Sequence, residues 1–376
     1  MADTPDVTQT PPTIYDVARM AGVSIASVSR VLNGRRNPRE ETRERVLQAV
    51  AELGFVPDGA ARALSGRLKE VVGVVIRRVR WTTTSDGGFA EEDESLQFTD
   101  VLNRGIELAA QRRGFNLLVS SVDADDHDAS RRLLALARKS DGLILHDRVL
   151  EPDQLDELAR RVPIVTLANV ATRTTTNVHS DNTSGMQALA VHLLADHGYR
   201  SIGYLAGLAD SPDSLARRET LAAEAAVAGA VLMTGPQWQG NYYAAGAAVI
   251  TERLMASGMP LPRVIVCAND QTALGVMYAL RRSGVDVPGQ VAVTGFDDIP
   301  MARHVQPLMT TVRQPIGELG ETAFEVLYSM ISREAPAERD IALPTRLMCR
   351  ESCGCQAGGG RLAGVTDLSS VRQLRS

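Results

Sequence analysis

Apolar residues near the start of the chain recur at the three- and four-residue spacing of an α-helix. The first apolar stripe consists of Ile14, Val17, Ala18 and Ala21. Gly22 follows at once and can adopt the left-handed backbone that ends a helix in a tight turn. Ser24 is a favourable N-cap for a second helix. The apolar side of this second helix carries Val28, Val31 and Leu32. The pattern predicts a helix, a turn and a second helix within residues 13–33.

A third amphipathic helix completes the predicted N-terminal unit. It begins near Glu40 and Glu41, and Gly54 ends it. Its inward positions are Val46, Ala49, Val50 and Leu53. Three such helices are enough to enclose a small hydrophobic core.

The second helix presents an outward surface suited to contact with DNA. Its outward positions are Ile25, Ala26, Ser29, Arg30 and Asn33. The recognition helix of a helix-turn-helix protein offers such a surface to the major groove. Helix pairs with a small residue at the corner also occur in proteins that bind no nucleic acid. The helical pattern alone therefore leaves both interpretations open.

The distribution of charge favours the DNA-binding interpretation. Residues 13–69 carry ten Lys and Arg against six Asp and Glu, a net charge of +4, whereas the whole chain of 376 residues has a net charge of −5. Basic charge is therefore concentrated in the segment that would contact phosphates.

Beyond residue 70 the pattern changes to short apolar runs that alternate with helical stretches. Buried strands are predicted at Val71–Ile76, Leu117–Val122, Leu143–Leu145, Ile164–Leu167, Ile202–Leu205, Val264–Ala268 and Val291–Thr294. Helical periodicity covers, among others, Val101–Arg113, Thr183–Asp196 and Thr272–Ser283. This alternation predicts parallel sheets covered by helices. The length predicts two α/β lobes, with a ligand cleft at the carboxyl ends of the strands.

Eight different short motifs follow one another along nearly the whole chain. They are Thr13–Asn33, Thr42–Val46, Gly54–Pro57, Ala61–Leu64, Asp181–Gly185, Asn269–Gly275, Gly295–Asp298 and Thr310–Gln314. In these motifs the chain resembles the lactose-repressor (LacI/GalR) family of bacterial transcriptional regulators over about residues 13–352. The resemblance implies an all-α helix-turn-helix headpiece and a two-lobed α/β core like that of periplasmic binding proteins.

The resemblance also divides the chain into segments. It implies a headpiece over residues 13–56, a hinge over 57–69 and an effector-binding and dimerisation core over 70–352. We expect residues 1–12 and 353–376 to form flexible tails. The hinge could form only about two helical turns, too few for a stable isolated helix, so a plain linker is one interpretation. The resemblance implies instead a helix that orders on DNA and inserts Leu64 into the minor groove.

The resemblance implies that a homodimer binds a pseudo-palindromic operator in double-stranded DNA. The residues that it assigns to DNA contact are Tyr15, Ser24, Ile25, Ala26, Ser29, Arg30, Asn33, Thr42, Ala61 and Leu64. Ile25 and Ala26 depart from the family, where polar side chains often read bases at these positions. Apolar side chains can contact a thymine methyl group but cannot distinguish donors from acceptors. The operator sequence is therefore not transferable from relatives.

Polar residues that follow the predicted strands match the effector contacts of the family. The candidate effector-binding residues are Phe98, Arg217, Asn269, Asp297 and Gln314. Carboxylate, amide and guanidinium groups can bind a polyol, and an aromatic ring can cover its apolar face. We therefore expect a sugar or sugar derivative as effector. Asn269 and Asp297 could instead cap helices, and Phe98 could be ordinary core. The segment 77–97 is longer than in the family, and Thr220 stands where a glycine is usual.

The cysteines and histidines do not predict a metal site. Cys349, Cys353 and Cys355 are close in sequence but have no adjacent histidine as a clear fourth ligand. His192 and His197 lack a second ligand at zinc spacing. We therefore expect ordinary thiols, no metal and no cofactor.

Two other classes of protein share parts of this pattern. A periplasmic solute-binding protein would need an export signal and would have no use for residues 13–66. An α/β enzyme could place carboxylates at strand ends, but no nucleophile and base are paired in the sequence. No apolar run approaches the length that spans a membrane. We therefore predict a cytoplasmic transcriptional repressor that is not an enzyme.

Overall fold

The chain folds into two compact units, Met1–Lys69 and Glu70–Ser376. The computed structural model describes residues 12–32, 39–55, 68–78, 96–123, 126, 128–334, 336 and 338–356. Asn33, Ala61, Leu64 and most of the segment 77–97 lie outside these ranges, as do the hinge residues 57–67.

The first unit contains the three predicted helices. They are α1 (Ile14–Ala21), α2 (Ile25–Leu32) and α3 (Glu40–Leu53). Val17, Val28 and Val46 are fully buried between them. The turns form as predicted, because Gly22 and Gly54 adopt left-handed backbone at φ 63° and 61°.

The first lobe of the second unit is built on a six-stranded parallel sheet. Its strands are β1 (Val71–Arg78), β2 (Asn116–Asp123), β3 (Gly142–His146), β4 (Ile164–Leu167), β5 (Thr176–Ser180) and β11 (Asp340–Leu343). They lie in the order β11-β5-β4-β3-β1-β2. The helices of this lobe are α4 (Leu96–Arg112), α5 (Ala129–Lys139), α6 (Pro152–Ala159) and α11 (Ile316–Ile331). The apolar residues of β1, β3 and β4 are buried on both faces, as expected when helices cover both sides of a sheet.

The second lobe has a four-stranded parallel sheet in the order β7-β6-β8-β9. Its strands are β6 (Ser201–Leu205), β7 (Val231–Met233), β8 (Val264–Cys267) and β9 (Ala292–Thr294). Its helices are α7 (Asn182–Val191), α8 (Pro212–Val227), α9 (Ala244–Ala256) and α10 (Asp270–Arg282). An antiparallel pair, β10 (Thr311–Arg313) and β12 (Arg346–Met348), completes the lobe. Short 3-10 turns occur at Pro236–Trp238, Pro300–Arg303 and Glu351–Cys353.

Three connections run between the lobes, from β5 to α7, from β10 to α11 and from β11 to β12. Two of them are hydrogen-bonded to each other: the Asp181 amide donates to the Leu343 carbonyl at 2.7 Å, and the Thr345 hydroxyl donates to the Asp181 carbonyl at 2.9 Å. Such narrow, adjacent connections are where two lobes of this kind hinge.

The seven predicted strands are all present, but five strands were not predicted. These are β5, β7, β10, β11 and β12, which are short or rich in polar residues. The helix predicted over Thr183–Asp196 also differs, because the backbone widens into a π-helical turn at His192–Asp196. Residues 353–356, expected in the tail, belong to the folded core, where Cys353 is fully buried.

Glycines allow α4 and α11 to cross at very short range. A Cβ atom on Gly105 would lie 2.1 Å from the Gly317 carbonyl oxygen, and one on Gly320 would lie 2.3 Å from the Leu102 carbonyl oxygen. No real Cβ atom comes this close to a backbone oxygen. This close crossing holds α11 over the first sheet.

We expect Gly320→Ala to lower the free energy of unfolding by about 1–3 kcal/mol, because the added methyl group forces the two helices apart. Gly317→Ala on the same helix is the matched control, since no atom lies within 4 Å of its Cβ position. It should be neutral or slightly stabilising. Urea denaturation followed by circular dichroism measures both. Equal effects of the two substitutions would contradict the described crossing.

Candidate functional site

A cleft of about 150 Å³ opens between the two lobes of the second unit. All five candidate effector-binding residues line it: Phe98, Arg217, Asn269, Asp297 and Gln314. Its remaining lining residues include His146, Asp147, Asp213, Asn241 and Tyr242. The structure therefore brings together side chains that are separated by more than two hundred positions in the sequence.

Arg217 is the most heavily bonded side chain of the cleft and is 2% exposed. Its Nε donates to Asn182 Oδ1 at 2.7 Å, and its Nη1 donates to the Ala268 carbonyl at 2.6 Å. The guanidinium also lies 3.5 Å from Asp213 and 3.7 Å above the centre of the Phe296 ring. These contacts fix its plane against the wall of the cleft.

Asp297 and Gln314 form a second polar pair. Gln314 Nε2 donates to Asp297 Oδ1 at 2.5 Å. Burial raises the pKa of the Asp297 carboxyl well above its usual range, and the nearby Asp270 raises it further, while Arg217 and Gln314 oppose this shift. Asp297 also has an unusual backbone, with φ at 128°. Strained backbone and a perturbed carboxyl pKa often occur together at binding sites.

The structure tests the alternative roles of Asn269 and Asp297 as helix caps and of Phe98 as a core residue. Asn269 does cap a helix, since its Oδ1 accepts the Thr272 amide hydrogen at 2.9 Å, yet it also lines the cleft. Asp297 accepts its side-chain hydrogen bond from Gln314 and is not a cap. Phe98 packs partly against the core of the first lobe, and its ring lies 5.7 Å from that of His146.

Sequence reasoning missed His146, Asp147 and Tyr242 as lining residues. His146 and Asp147 stand at the carboxyl end of β3, so the rule that ligands bind at strand ends could have found them. Burial lowers the pKa of His146 and raises that of Asp147. Tyr242 lies in an irregular loop, where its hydroxyl pairs with that of Ser211 at 2.8 Å, and no sequence pattern marks it.

An ion pair joins the two lobes at the edge of the cleft. Arg77 Nη2, at the end of β1 in the first lobe, lies 2.9 Å from Asp210 Oδ2 in the second lobe. Arg77 Nη1 lies 3.9 Å from Asp147. Arg77 and Asp147 both line the cleft, so the pair with Asp210 joins the lobes beside it.

Asp298 points away from the cleft, in contrast to its neighbour Asp297. Its fully buried carboxylate accepts hydrogen bonds from Arg303 at 3.0 Å, from Arg313 at 2.6 Å and from Arg350. Burial raises the pKa of Asp298, but these three arginines more than offset it and hold the pKa below its usual range. The cluster ties together the loop after β9, the strand β10 and the segment after β12.

The candidate DNA-binding residues that the structure describes lie on or beside α1, α2 and α3. Tyr15 and Ile25 are 64% and 41% exposed, and Ala26 and Arg30 are also exposed. Ser29 and Thr42 are half-buried. Ser24 caps α2, because its hydroxyl accepts the Ser27 amide hydrogen at 3.2 Å. Arg45 of α3 donates to the carbonyls of Ala21 and Gly22, which fixes the turn between α1 and α2.

One group of described residues could hold a metal ion. His192, His197, Cys353 and Cys355 have ligand atoms within 4.8 Å of one another. The two histidines and the two cysteines are about 160 positions apart in the sequence, so the lack of a histidine adjacent to the cysteines is no reason against a metal site. Within the described residues, no helix has both the length and the apolar character needed to span a membrane.

A helix-turn-helix unit joined to a two-lobed core with a polar cleft defines a DNA-binding regulator with a ligand-binding core. Family models agree: residues 13–58 match "Bacterial regulatory proteins, lacI family" and residues 191–353 match "Periplasmic binding protein-like domain". Catabolite control protein A of Priestia megaterium is 30% identical over 90% of this chain and 98% of its own length. The chain belongs to the LacI family of bacterial transcriptional regulators.

Other relatives and solved structures are consistent with this assignment. The regulator GalS of Salmonella typhimurium is 32% identical over 84% of this chain and 88% of its own length. The ribose operon repressor of Haemophilus influenzae is 29% identical over 90% of this chain and 98% of its own length. The lac repressor dimer bound to operator and the anti-inducer ONPF superposes with a TM-score of 0.76 at 26% identity, over 92% of this chain and 99% of that one. The CelR–cellobiose complex gives a TM-score of 0.63 at 28% identity, over 91% of this chain and 99% of that one.

We expect Asp298→Asn to lower the free energy of unfolding at pH 7 by about 3 kcal/mol, because it leaves three arginines beside an uncharged group. The pKa of Asp298 is lowered in the folded state, so its stabilising contribution is present above the unfolded pKa of about 3.9 and is lost as the pH falls below it.

The difference in the free energy of unfolding between wild type and Asp298→Asn should therefore become smaller at acid pH. Urea denaturation at pH 7 and at successively lower pH measures it, with the exposed Asp100→Asn on α4 as control. A difference that stays constant down to the acid limit of folding would contradict the assigned role of the carboxylate.

Proposed function

We propose that this protein is a cytoplasmic transcriptional repressor that binds a pseudo-palindromic operator as a homodimer. A small molecule, a sugar or sugar derivative, binds in the cleft between the lobes and changes the affinity for DNA. The observation that carries this proposal is the combination of an exposed, basic helix-turn-helix unit with a cleft in which five separated polar and aromatic residues converge. We infer that the protein is not an enzyme, since its relatives are named as repressors and regulators.

The DNA-binding part of the proposal rests on the outer surface of α2. Arg30 is exposed there, and its Nε donates to the Ala26 carbonyl of its own helix, at 3.2 Å. This weak contact leaves the guanidinium able to turn toward a guanine in the major groove. Ile25 and Ala26 would contact thymine methyl groups. Ser24, Ser29, Asn33 and Thr42 would contact phosphates, and Tyr15 would support them.

The hinge, residues 57–69, would make the remaining DNA contacts. Ala61 and Leu64 would lie in the minor groove at the centre of the operator, where the hinge segments of two chains meet. An apolar wedge at that position kinks the duplex and lets both headpieces reach successive major grooves. The lac repressor similar to this chain is described as a dimer bound to operator.

The ligand part of the proposal rests on the chemistry of the cleft. A sugar hydroxyl donates one hydrogen bond and accepts others, and the cleft offers both kinds of partner. Arg217 and Asn269 supply donors, Asp297 supplies an acceptor, and Gln314 supplies either. Phe98 offers an aromatic face to the apolar side of the ring. Similar proteins are named for ribose and cellobiose.

The ligand controls DNA binding only if it prefers one arrangement of the lobes. The Arg77–Asp210 pair and the two hydrogen-bonded connections between the lobes are the parts that such a rearrangement would change. A ligand that bridges Asp297 of the second lobe and Phe98 of the first would favour the closed arrangement.

Selection of binding sites from random duplex DNA tests the first part of the proposal. At about physiological ionic strength, where non-specific phosphate contacts are weakened, the full-length protein should recover a pseudo-palindromic motif. Arg30→Ala should lose the preference at one base pair of each half-site, at a cost of about 1–3 kcal/mol in affinity for the motif. Arg43→Ala on α3 is a matched control, since it removes a similar charge outside the recognition helix. An unchanged motif with Arg30→Ala would contradict the assigned role.

Thermal unfolding with a panel of pentoses, hexoses and disaccharides, including ribose and cellobiose, tests the cleft. A ligand at one hundred times its Kd should stabilise the wild-type core by about 2.7 kcal/mol. Asp297→Asn should abolish most of this stabilisation, because it replaces one of the two buried acceptor oxygens with an NH2 donor. Asp100→Asn, on the surface of α4, should retain it. Stabilisation that survives Asp297→Asn unchanged would place the ligand elsewhere.

A further inference from the structure

We propose that His192, His197, Cys353 and Cys355 form a closed, tetrahedral Zn²⁺ site in the second lobe. None of its four residues lines the cleft, and none belongs to the proposed DNA or effector contacts. His192 begins the π-helical turn that follows α7, and His197 comes directly after that turn. The two cysteines lie in the segment after β12.

The distances between the ligand atoms fit one zinc ion. His192 Nε2 lies 3.1 Å from His197 Nε2, 3.6 Å from Cys353 Sγ and 3.5 Å from Cys355 Sγ. Cys355 Sγ lies 3.4 Å from His197 Nε2. Zinc bonds of about 2.0 Å to nitrogen and about 2.3 Å to sulfur place tetrahedral ligand atoms about 3.3 to 3.8 Å apart. These four separations are close to those values, and all four ligand atoms lie within 4.8 Å of one another.

Hydrogen bonding alone does not account for this convergence. The Nε2 atom of His192 has three neighbours at contact distance, one nitrogen and two sulfurs. An imidazole nitrogen has either one lone pair or one hydrogen, so it can form one good hydrogen bond and not three. A cation at the centre of the four atoms replaces these competing contacts with one bond to each ligand.

The backbone is shaped to bring the two histidines together. Residues five apart on an α-helix point about 140° away from each other, so His192 and His197 could not share a face of a regular helix. The π-helical turn over His192–Asp196 widens the helix, and the His197 amide donates to the His192 carbonyl at 3.2 Å. Such π-turns occur frequently at functional sites.

The cysteine side of the site is also fixed by its surroundings. Gly354 joins the two cysteines in a left-handed conformation, with φ at 101°, which suits glycine. The Tyr199 hydroxyl donates to the Cys353 carbonyl at 2.9 Å, and the Tyr199 ring stacks on His197 with centroids 5.4 Å apart. Cys353 and His192 are buried, whereas Cys355 and His197 are half-buried.

A second ring of contacts orients His192. Its Nδ1 lies 2.8 Å from the Asp196 carboxylate, so Nδ1 carries the hydrogen and Nε2 is left with the lone pair that a metal requires. Carboxylate–histidine–metal arrangements of this kind are a regular feature of zinc sites. The Asp196 side chain is 69% exposed, so it is available for substitution without disturbing the core.

The composition of the site selects the metal and its role. Two thiolates and two imidazoles favour zinc over magnesium or calcium, which prefer oxygen. Four protein ligands leave no position for a substrate, which is typical of a structural site. The ion would fasten the segment after β12 to the π-helical turn that follows α7. The same segment is also joined to β9, because the Ser352 hydroxyl donates to the Val293 carbonyl at 2.6 Å.

Metal content and affinity of the full chain test this proposal. The protein is purified under reducing conditions, stripped with a chelator and titrated with Zn²⁺, and separately with Co²⁺. We expect one zinc per chain and the visible absorption of tetrahedral cobalt with thiolate ligands. Cys355→Ser and His197→Gln, at half-buried positions, should each weaken zinc binding by more than about 100-fold. Asp196→Asn should weaken it by about 10- to 100-fold.

Cys349 lies outside the group of four converging ligands, but its thiol interacts with His192, so the exposed His304→Gln is the matched control for His197→Gln. His304→Gln should retain zinc at wild-type affinity. Absence of stoichiometric zinc in the folded wild type would overturn the proposal. A protein mass lower by two hydrogens, which would show a Cys353–Cys355 disulfide after purification under reducing conditions, would also overturn it. So would loss of zinc with His304→Gln but not with His197→Gln. Circular dichroism tests whether each variant is folded. If either Cys355→Ser or His197→Gln fails to fold, the zinc affinity of the other variant tests the proposal.

Discussion

The cleft of the second unit depends on the burial of one positive charge, the guanidinium of Arg217. A charged group that is 2% exposed must be paired and hydrogen-bonded to remain in the protein. Arg217 satisfies this requirement with an amide oxygen from the start of α7, a carbonyl at the end of β8 and a carboxylate in its own helix α8. These contacts draw the ends of separate elements to one point. The wall of the cleft is therefore built before any ligand enters.

The two adjacent carboxylates after β9 show how one strand end serves two purposes. Asp297 faces the cleft, and burial raises its pKa. Asp298 faces the opposite direction, where three arginines lower its pKa. Both residues have positive φ, at 128° and 58°, and the contacts of Asp298 anchor the backbone directly next to Asp297. The contacts of Asp298 thereby hold the loop after β9, whereas the partly exposed ion pair between Arg77 and Asp210 lies at the edge of the cleft.

Much of this architecture was predictable from residues alone. The three headpiece helices and seven of the strands follow from the spacing of apolar residues, and Gly22 and Gly54 mark the turns. The family resemblance selected five residues that line a single cleft. The polar strand β5 and the short strands β7, β10, β11 and β12 were missed, because their patterns are too brief or too polar to stand out. They form through pairing with other strands of their sheets.

The convergence of His192 and His197 with Cys353 and Cys355 could not be predicted for a related reason. It requires a π-helical turn, which has no sequence signature comparable to helical periodicity, and a contact between segments far apart in the chain. Tyr242 and Asp147 likewise enter the cleft through the tertiary fold. Local pattern predicts local structure, and sites assembled from several elements need either a family resemblance or the fold itself.

The central claim is that DNA binding by the first unit and ligand binding by the second are coupled. Coupling between two binding sites is reciprocal, so the selected operator must change the ligand affinity by the same factor as the ligand changes the operator affinity. The decisive measurement is the Kd of the stabilising sugar for the full chain, by isothermal titration calorimetry, with and without saturating operator duplex. Our account predicts a shift of about 5- to 150-fold that matches the shift in operator affinity. Equal ligand affinities in the two titrations would contradict it.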